Sequence, residues 1–298
     1  MGFENISGNK ENKKLLTNIL ETENISHSYM FIGKHSIGKL LFAKEFAKGI
    51  LCSSNPKPCN TCISCIKFDN NNHPDFFVVE PEEGSIKNEQ IRELNKKILE
   101  KPIQSLKKVY IINDAETMTT QAQNSLLKTL EEPPEHAVII LITSNEHKML
   151  NTIKSRVVKI YFNELEQKDI ELILKKEYGI ENTNNDIIKY AGGSVEMALR
   201  LYNNNDLYIK INEIFSNLDK IDIIDLLNSK EEVFEKKEFI EDILDYINIL
   251  FYNLSKKDIR YINCLREIIN TKERLASNAN YNMTMDNFLF TVWGEIND

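Results

Sequence analysis

No apolar run in this 298-residue sequence approaches the roughly 18–20 residues a helix needs to cross a bilayer, so no membrane-spanning helix is expected. The opening Met1-Gly2-Phe3-Glu4-Asn5-Ile6 lacks the apolar h-region of a secretory signal. Position 6, where N-myristoylation needs Ser or Thr, is Ile6. An excess of basic charge is missing too. The net charge is −8, so the chain is not expected to grip nucleic acid alone through a broad basic face. DNA contact within an assembly stays open, because the doublets Lys13-Lys14, Lys96-Lys97 and Lys107-Lys108 can either touch phosphates or serve as solvated ends of helices and strands. No internal repeat is present. What remains is a cytoplasmic, globular chain of two or three domains, with 42% hydrophobic and 28% charged residues.

Five short apolar segments alternate with helical ones in the first part of the chain: Tyr29–Ile32, Asp75–Glu80, Lys108–Ile112, Ala137–Thr143 and Val157–Phe162. That alternation predicts an α/β domain over 1–162 with a five-stranded parallel sheet and right-handed crossovers. Helical periodicity covers residues 5–24 and 86–101. Another helix should begin at Thr120, with Gln123 completing a capping box, and end at Pro133-Pro134. Beyond Phe162 the strand signals cease. Helices are expected at Leu165–Tyr178, Asp186–Ala191, Ser194–Tyr202, Phe234–Leu254 and Ile259–Leu275. A small helical domain over 163–204 and a helical C-terminal domain over 205–298 follow, with Asn203-Asn204-Asn205 as the boundary.

The most distinctive stretch is Gly33-Lys34-His35-Ser36-Ile37-Gly38-Lys39-Leu40, set between an apolar run and an amphipathic helix. Strand, glycine-rich loop and helix in that order let backbone N–H groups cradle phosphate oxygens. The GxxxxGK[ST] pattern is met at seven of its eight positions; the eighth, which should offer a hydroxyl to Mg²⁺, is Leu40. A P-loop enzyme also needs an acid after a later strand to hold the metal. Here Lys108–Ile112 runs into Asn113-Asp114-Ala115-Glu116, and either register of the usual acidic pair leaves one acid missing. Gly33, Gly38, Lys39, Leu40, Asn113 and Asp114 therefore make a degenerate nucleotide site, at which ATP or ADP binding is in doubt.

Four of the five cysteines, Cys52, Cys59, Cys62 and Cys65, are spaced C-x6-C-x2-C-x2-C. Thiolates at that spacing can converge on one tetrahedral Zn²⁺, a closed and therefore structural site. A reducing compartment argues against disulfides. His73 can replace a ligand, although His-Pro-Asp leading into a strand reads more simply as a turn. Cys264 reads as a small buried apolar residue.

Gln123-Asn124-Ser125-Leu126-Leu127-Lys128-Thr129-Leu130-Glu131-Glu132-Pro133-Pro134-Glu135-His136 resembles the hallmark segment of bacterial clamp-loader AAA+ proteins, the replicative clamp loader of DNA polymerase III. Ser155-Arg156-Val157 resembles their SRC motif, Thr143-Ser144-Asn145 their sensor 1 region, and the cysteine cluster also matches. The resemblance covers about residues 8–204 at motif level. It implies an AAA+ P-loop domain over 1–162 with a zinc module at about 52–73, a helical lid at 163–204 and a helical collar at 205–298. Motor (gamma/tau) subunits of that family carry Arg in a Gly-Ser-x-Arg-x-Ala-Leu segment. This chain reads Gly193-Ser194-Val195-Glu196-Met197-Ala198-Leu199, and an anion at Glu196 repels a triphosphate. With Leu40 and Asn113, that departure points to a stator without ATPase activity of its own; a gamma/tau-like ATPase subunit is the alternative. The resemblance further implies a hetero-pentamer with motor and delta subunits, acting on the sliding clamp and primed DNA. It gives Arg156 the role of an arginine finger acting in trans, with Ser155 shaping its loop. Nothing in the sequence supports nucleotidyl transfer by this chain itself.

Overall fold

The computed structural model describes residues 2–181, 185–235, 237–277 and 279–297, with the side chains of 185, 186 and 238 outside that description. Two compact units divide the chain, Met1–Ile173 and Leu174–Asp298.

The first unit is built on β1 (Ser28–Ile32), β2 (Phe76–Val79), β3 (Lys108–Ile112), β4 (Ala137–Thr143) and β5 (Val158–Tyr161). They form one sheet in the order β2-β3-β4-β1-β5, with every pairing parallel, as expected. Strands β1, β3 and β4 are buried at every residue, which is why they read as continuous apolar runs rather than alternating ones. Successive side chains point to opposite faces. Tyr29, Phe31, Val109, Ile111 and Ile140 therefore pack on one side, and Met30, Ile32, Tyr110, Ile112 and Leu141 on the other. The first side is covered by α1 (Lys10–Glu21) and α2 (Lys39–Leu51) through Leu16, Leu20, Phe42 and Phe46. After α3 (Ile63–Asp69), the second side is covered by α4 (Asn88–Leu99) and α5 (Thr120–Glu131) through Ile91, Leu94, Leu126 and Leu130. Phe31, Phe42 and Phe46 are fully buried, and truncating any one to Ala would cost about 3–5 kcal/mol. The short α6 (Asn151–Lys154) precedes β5, and α7 (Gln167–Tyr178) follows it.

Two helix starts differ from expectation. Helix α1 begins at Lys10 and not near residue 5, because Gly8 and Asn9 take left-handed backbone (φ 76° and 44°). A Cβ on Gly8 would lie 2.3 Å from a Leu165 methyl, so the glycine is needed for that close approach. In α5 the N-cap is Thr119 and not Thr120; its side chain accepts from the Ala122 N–H at 3.2 Å. Gln123 serves no capping box. It is buried, donates to the Met118 and Lys148 carbonyls at 3.3 and 3.1 Å, and accepts from the Leu150 N–H at 2.9 Å.

The second unit contains α8 (Asn185–Tyr190), α9 (Val195–Asn203), α10 (Asn205–Phe215), α11 (Ile223–Asn228), α12 (Lys230–Phe234), α13 (Ile240–Ser255), α14 (Tyr261–Ala276) and α15 (Tyr281–Asn297). Its core gathers Phe215, Phe251 and Phe288, with ring centroids 5.8 and 6.2 Å from Phe215. The single helix expected over Phe234–Leu254 is broken: α12 ends at Phe234, a 3-10 turn spans Lys237–Phe239, and α13 starts at Ile240. Lys236 lies outside the described residues. Among the described residues no helix is long and apolar enough to cross a membrane.

Candidate nucleotide cleft, thiol centre and arginine corner

Strands β1, β4 and β3 end side by side, and the loops leaving their C-terminal ends meet in the crevice where parallel α/β sheets bind ligands. The loop after β1 is tightly set. A Cβ on Gly33 would lie 2.7 Å from the Phe162 carbonyl oxygen, and Gly38 has φ 90°. Lys39, which should reach phosphate, is 6% exposed and turns back on its own loop, donating to the Gly33 carbonyl at 2.6 Å and to that of Lys34. Burial lowers its pKa, against the pull of Glu116 and Asp114. Leu40 is half-buried against the core and brings no oxygen to a metal.

The acidic side is arranged differently from either register weighed on sequence. Asn113 donates to Asp114 Oδ2 at 3.1 Å, and Asp114 takes a left-handed conformation at φ 48°. Burial, with Glu116 nearby, raises the Asp114 carboxyl above its ordinary range. Glu116 is swung inward by the 3-10 turn Ala115–Thr117, leaving its side chain 6% exposed. Burial alone would raise it too. The Ser144 hydroxyl and N–H, the latter at 3.0 Å, outweigh that and hold it low. His35 Nε2 lies 2.7 Å from the Ser144 hydroxyl, and His35, Asp114 and Glu116 each offer a ligand atom within 4.8 Å of the others. Two carboxylates and an imidazole so placed suit a divalent cation, although Lys39 already supplies positive charge to both acids. The sequence reading assigned no role to Glu116 or His35, since only a folded turn shows which way a loop side chain points.

The four cysteines converge. Their Sγ atoms all lie within 4.8 Å of one another, with Cys52–Cys62 at 3.8 Å and Cys59–Cys65 at 4.0 Å. A tetrahedron with Zn–S arms of about 2.3 Å has edges of about 3.8 Å, so the donor set fits zinc. Backbone N–H groups of Cys59, Cys62 and Cys65 point at sulfur from 3.3–3.4 Å. The Thr61 backbone and hydroxyl, with the Cys62 N–H, bring Cys59 down to about 5, favouring thiolate. All five cysteines are free thiols, and Cys264 is buried as expected, its pKa pushed up to about 12 by that burial.

His73 belongs to the seat of this module and not to its ligand set. Its Nε2–H donates to the Ser64 hydroxyl at 2.7 Å, and its Nδ1 accepts from the Asp75 N–H at 3.1 Å. Ser64 in turn donates to the Leu51 carbonyl at 2.7 Å. The fully buried Asp75 accepts the N–H groups of Ile103, Gln104 and Ser105 at 2.7–2.8 Å. Burial alone would raise its carboxyl, but those donors together hold it below its ordinary value. Lys48, near the end of α2, reaches Asn60 at 2.6 Å and Asp69 at 2.8 Å.

Arg156 lies elsewhere. Its carbonyl accepts from the Ser28 hydroxyl at 2.7 Å, at the start of β1 and so at the end of the sheet away from Gly33. Four residue steps separate Ser28 from Ile32, about 13 Å of strand. The guanidinium donates from Nη1 to the Thr152 carbonyl (2.8 Å) and the Ser155 hydroxyl (3.1 Å), and its Nη2 forms an ion pair with Glu131 (2.7 Å).

Glu196 pairs with Arg200 one turn along α9, and Arg200 also meets Asp242. Of the lysine doublets, Lys107-Lys108 is engaged within the chain. Lys108 is buried, 3.4 Å from Glu100, and Lys107 donates to the Glu135 carbonyl at 2.6 Å.

A P-loop between β1 and a helix, in a sheet of this order, defines an AAA+ module. The solved DNA polymerase III gamma subunit-related protein of Thermotoga maritima shares the fold, with a TM-score of 0.50 at 21% identity over 94% of this chain and 99% of that one. The family described as "DNA polymerase III, delta subunit" matches residues 8–166. The chain belongs to that family, as a delta'-type clamp-loader subunit. DNA polymerase III subunit delta' of Bacillus subtilis is 42% identical over 53% of this chain and 48% of its own length. Subunit tau of the same organism is 35% identical over 67% of this chain and 37% of its own. The chain thus spans about half or less of the length of these two relatives. Subunit gamma of Buchnera aphidicola is 30% identical over 94% of this chain and 78% of its own length.

Proposed function

We propose that this chain is the stator of a DNA polymerase III clamp loader and acts on ATP held by a neighbour, not on ATP of its own. One contrast supports this best. The chain's own cleft has Leu40 in place of a hydroxyl, lacks one acid of the usual pair in either register of Asn113-Asp114-Ala115, and spends its Lys39 on the loop's carbonyls. Arg156 meanwhile stands at the other end of β1, beyond the reach of one side chain from that cleft. A guanidinium presented to a neighbour's transferred phosphoryl group offsets the charge that develops there, an effect worth about 10³–10⁵ in rate.

In this reading the partners are motor (gamma/tau) and delta subunits in a hetero-pentamer, which opens the sliding clamp and places it on primed DNA in the cytoplasm. Cys52, Cys59, Cys62 and Cys65 hold a structural Zn²⁺, and residues 163–204 and 205–298 serve as lid and collar. Arg156→Ala should fold normally yet lower the clamp- and DNA-stimulated ATPase of the reconstituted complex by about 10³-fold or more. An unchanged rate would remove the finger role.

The similarity to gamma and tau subunits favours a second reading, a chain that hydrolyses ATP itself. Hydrolysis by the isolated chain, abolished by Lys39→Ala, would establish it.

A further inference from the structure

Glu131 sits where helix energetics alone would not put it. It is the last residue of α5, and Glu132 follows, so two acids crowd the negative end of the helix dipole. A half-exposed pair adds little stability, and the Glu131–Arg156 pair is of that kind, with side chains 48% and 34% exposed. What the placement does accomplish is geometric. Arg156 Nη1 spends both hydrogens on the Thr152 carbonyl and the Ser155 hydroxyl, while Nη2 forms an ion pair with the Glu131 carboxylate at 2.7 Å. The backbone of Arg156 is pinned by Ser28 and by its own N–H to the Ile153 carbonyl at 2.9 Å. Of five guanidinium donors, the Nε–H has no partner among the described residues, and Nη2 has only its ion pair with Glu131. These two nitrogens are adjacent, a pair that can meet two oxygens of one oxyanion.

We propose that Glu131 is a positioning residue for Arg156. Its carboxylate fixes the plane of the guanidinium so that the Nε–H and Nη2–H edge is presented to phosphoryl oxygens of ATP on a neighbouring subunit. The proposal rests on the arginine-finger reading above and adds to it the residue that aims the finger. Glu131 never touches ATP; it removes the rotamer freedom that a long, half-exposed arginine would otherwise keep.

The test is a double-mutant cycle in the reconstituted complex, with ATP as substrate and the clamp and primed DNA present. Glu131→Ala should lower kcat by up to about 10²-fold, the scale of a misplaced catalytic group, with KM for ATP and the affinity of subunit assembly unchanged. Glu131→Gln, which keeps an acceptor oxygen, should restore most of the rate. Glu131→Ala should have no further effect in an Arg156→Ala background. If Arg156→Ala slows the complex and Glu131→Ala does not, positioning by Glu131 is wrong and the finger stands. Should Arg156→Ala itself leave the rate unchanged, the finger reading fails first. A Glu131→Ala complex faster than wild type, or a Glu131→Gln complex as slow as Glu131→Ala, would overturn an aiming role carried by the carboxylate contact. Matched circular dichroism and melting of the half-exposed variants confirm that each is folded.

Discussion

Helix α2 joins two sites of opposite character. At its N-terminal end Leu40 stands where a P-loop would offer a hydroxyl, Lys39 is turned onto the carbonyls of its own loop, and the Ser144 hydroxyl joins His35 to Glu116. At its C-terminal end Cys52 joins three other sulfurs at tetrahedral spacing, with backbone N–H groups already aimed at them. The same helix thus carries a site whose lysine is turned onto its own loop and one whose four thiols converge. A scaffold can outlive its chemistry when its backbone does structural work, as Gly33 does by letting β1 pass against Phe162.

The largest effect that would sharpen this contrast comes from the thiol end. Structural zinc in small domains contributes about 10–16 kcal/mol of apparent free energy. Chelation or Cys62→Ser should abolish zinc binding measured by metal analysis and open the segment before α3 to protease. Tag-free protein purified without zinc, yet protease-resistant there, would break the comparison.

An intermediate effect is expected where the module is seated. Asp75→Asn leaves three backbone donors facing a weaker acceptor and should cost about 1–3 kcal/mol in chemical denaturation. The carboxyl is held below its unfolded value, so its stabilisation is present above about pH 4 and disappears as pH falls through the folded pKa. The wild type should therefore lose stability on acidification below that point by more than Asp75→Asn does; parallel pH profiles would remove this residue from the account.

The smallest effect belongs to the cleft. Lys39→Ala should leave the ATPase rate of the reconstituted complex within about twofold, under 0.5 kcal/mol of barrier. A loss approaching that of Arg156→Ala would mean that the P-loop still works.

Much of the first unit was legible because its strands are buried on both faces, which writes them as uninterrupted apolar runs such as Ala137–Thr143. The edge strand β5, with only Ile160 buried, was still legible from the apolar run Val157–Phe162. Errors gathered where backbone geometry overrides periodicity, at Gly8-Asn9 before α1 and at the break after Phe234. Gln123 fitted a capping pattern on paper and was drawn inward instead, because three backbone groups around 118 and 148–150 needed partners.

The sequence by itself determined the sheet, the loop with its missing ligands, the cysteine set and Arg156, since each rests on residue type and local spacing. Only the tertiary structure decided which groups meet. Asp75 clamps a loop 28 residues away, Glu116 turns to Ser144 across the sheet, and Glu131 closes on Arg156 from another helix. Hydrogen bonds and ion pairs act over about 3 Å, and at that range separation along the chain says almost nothing.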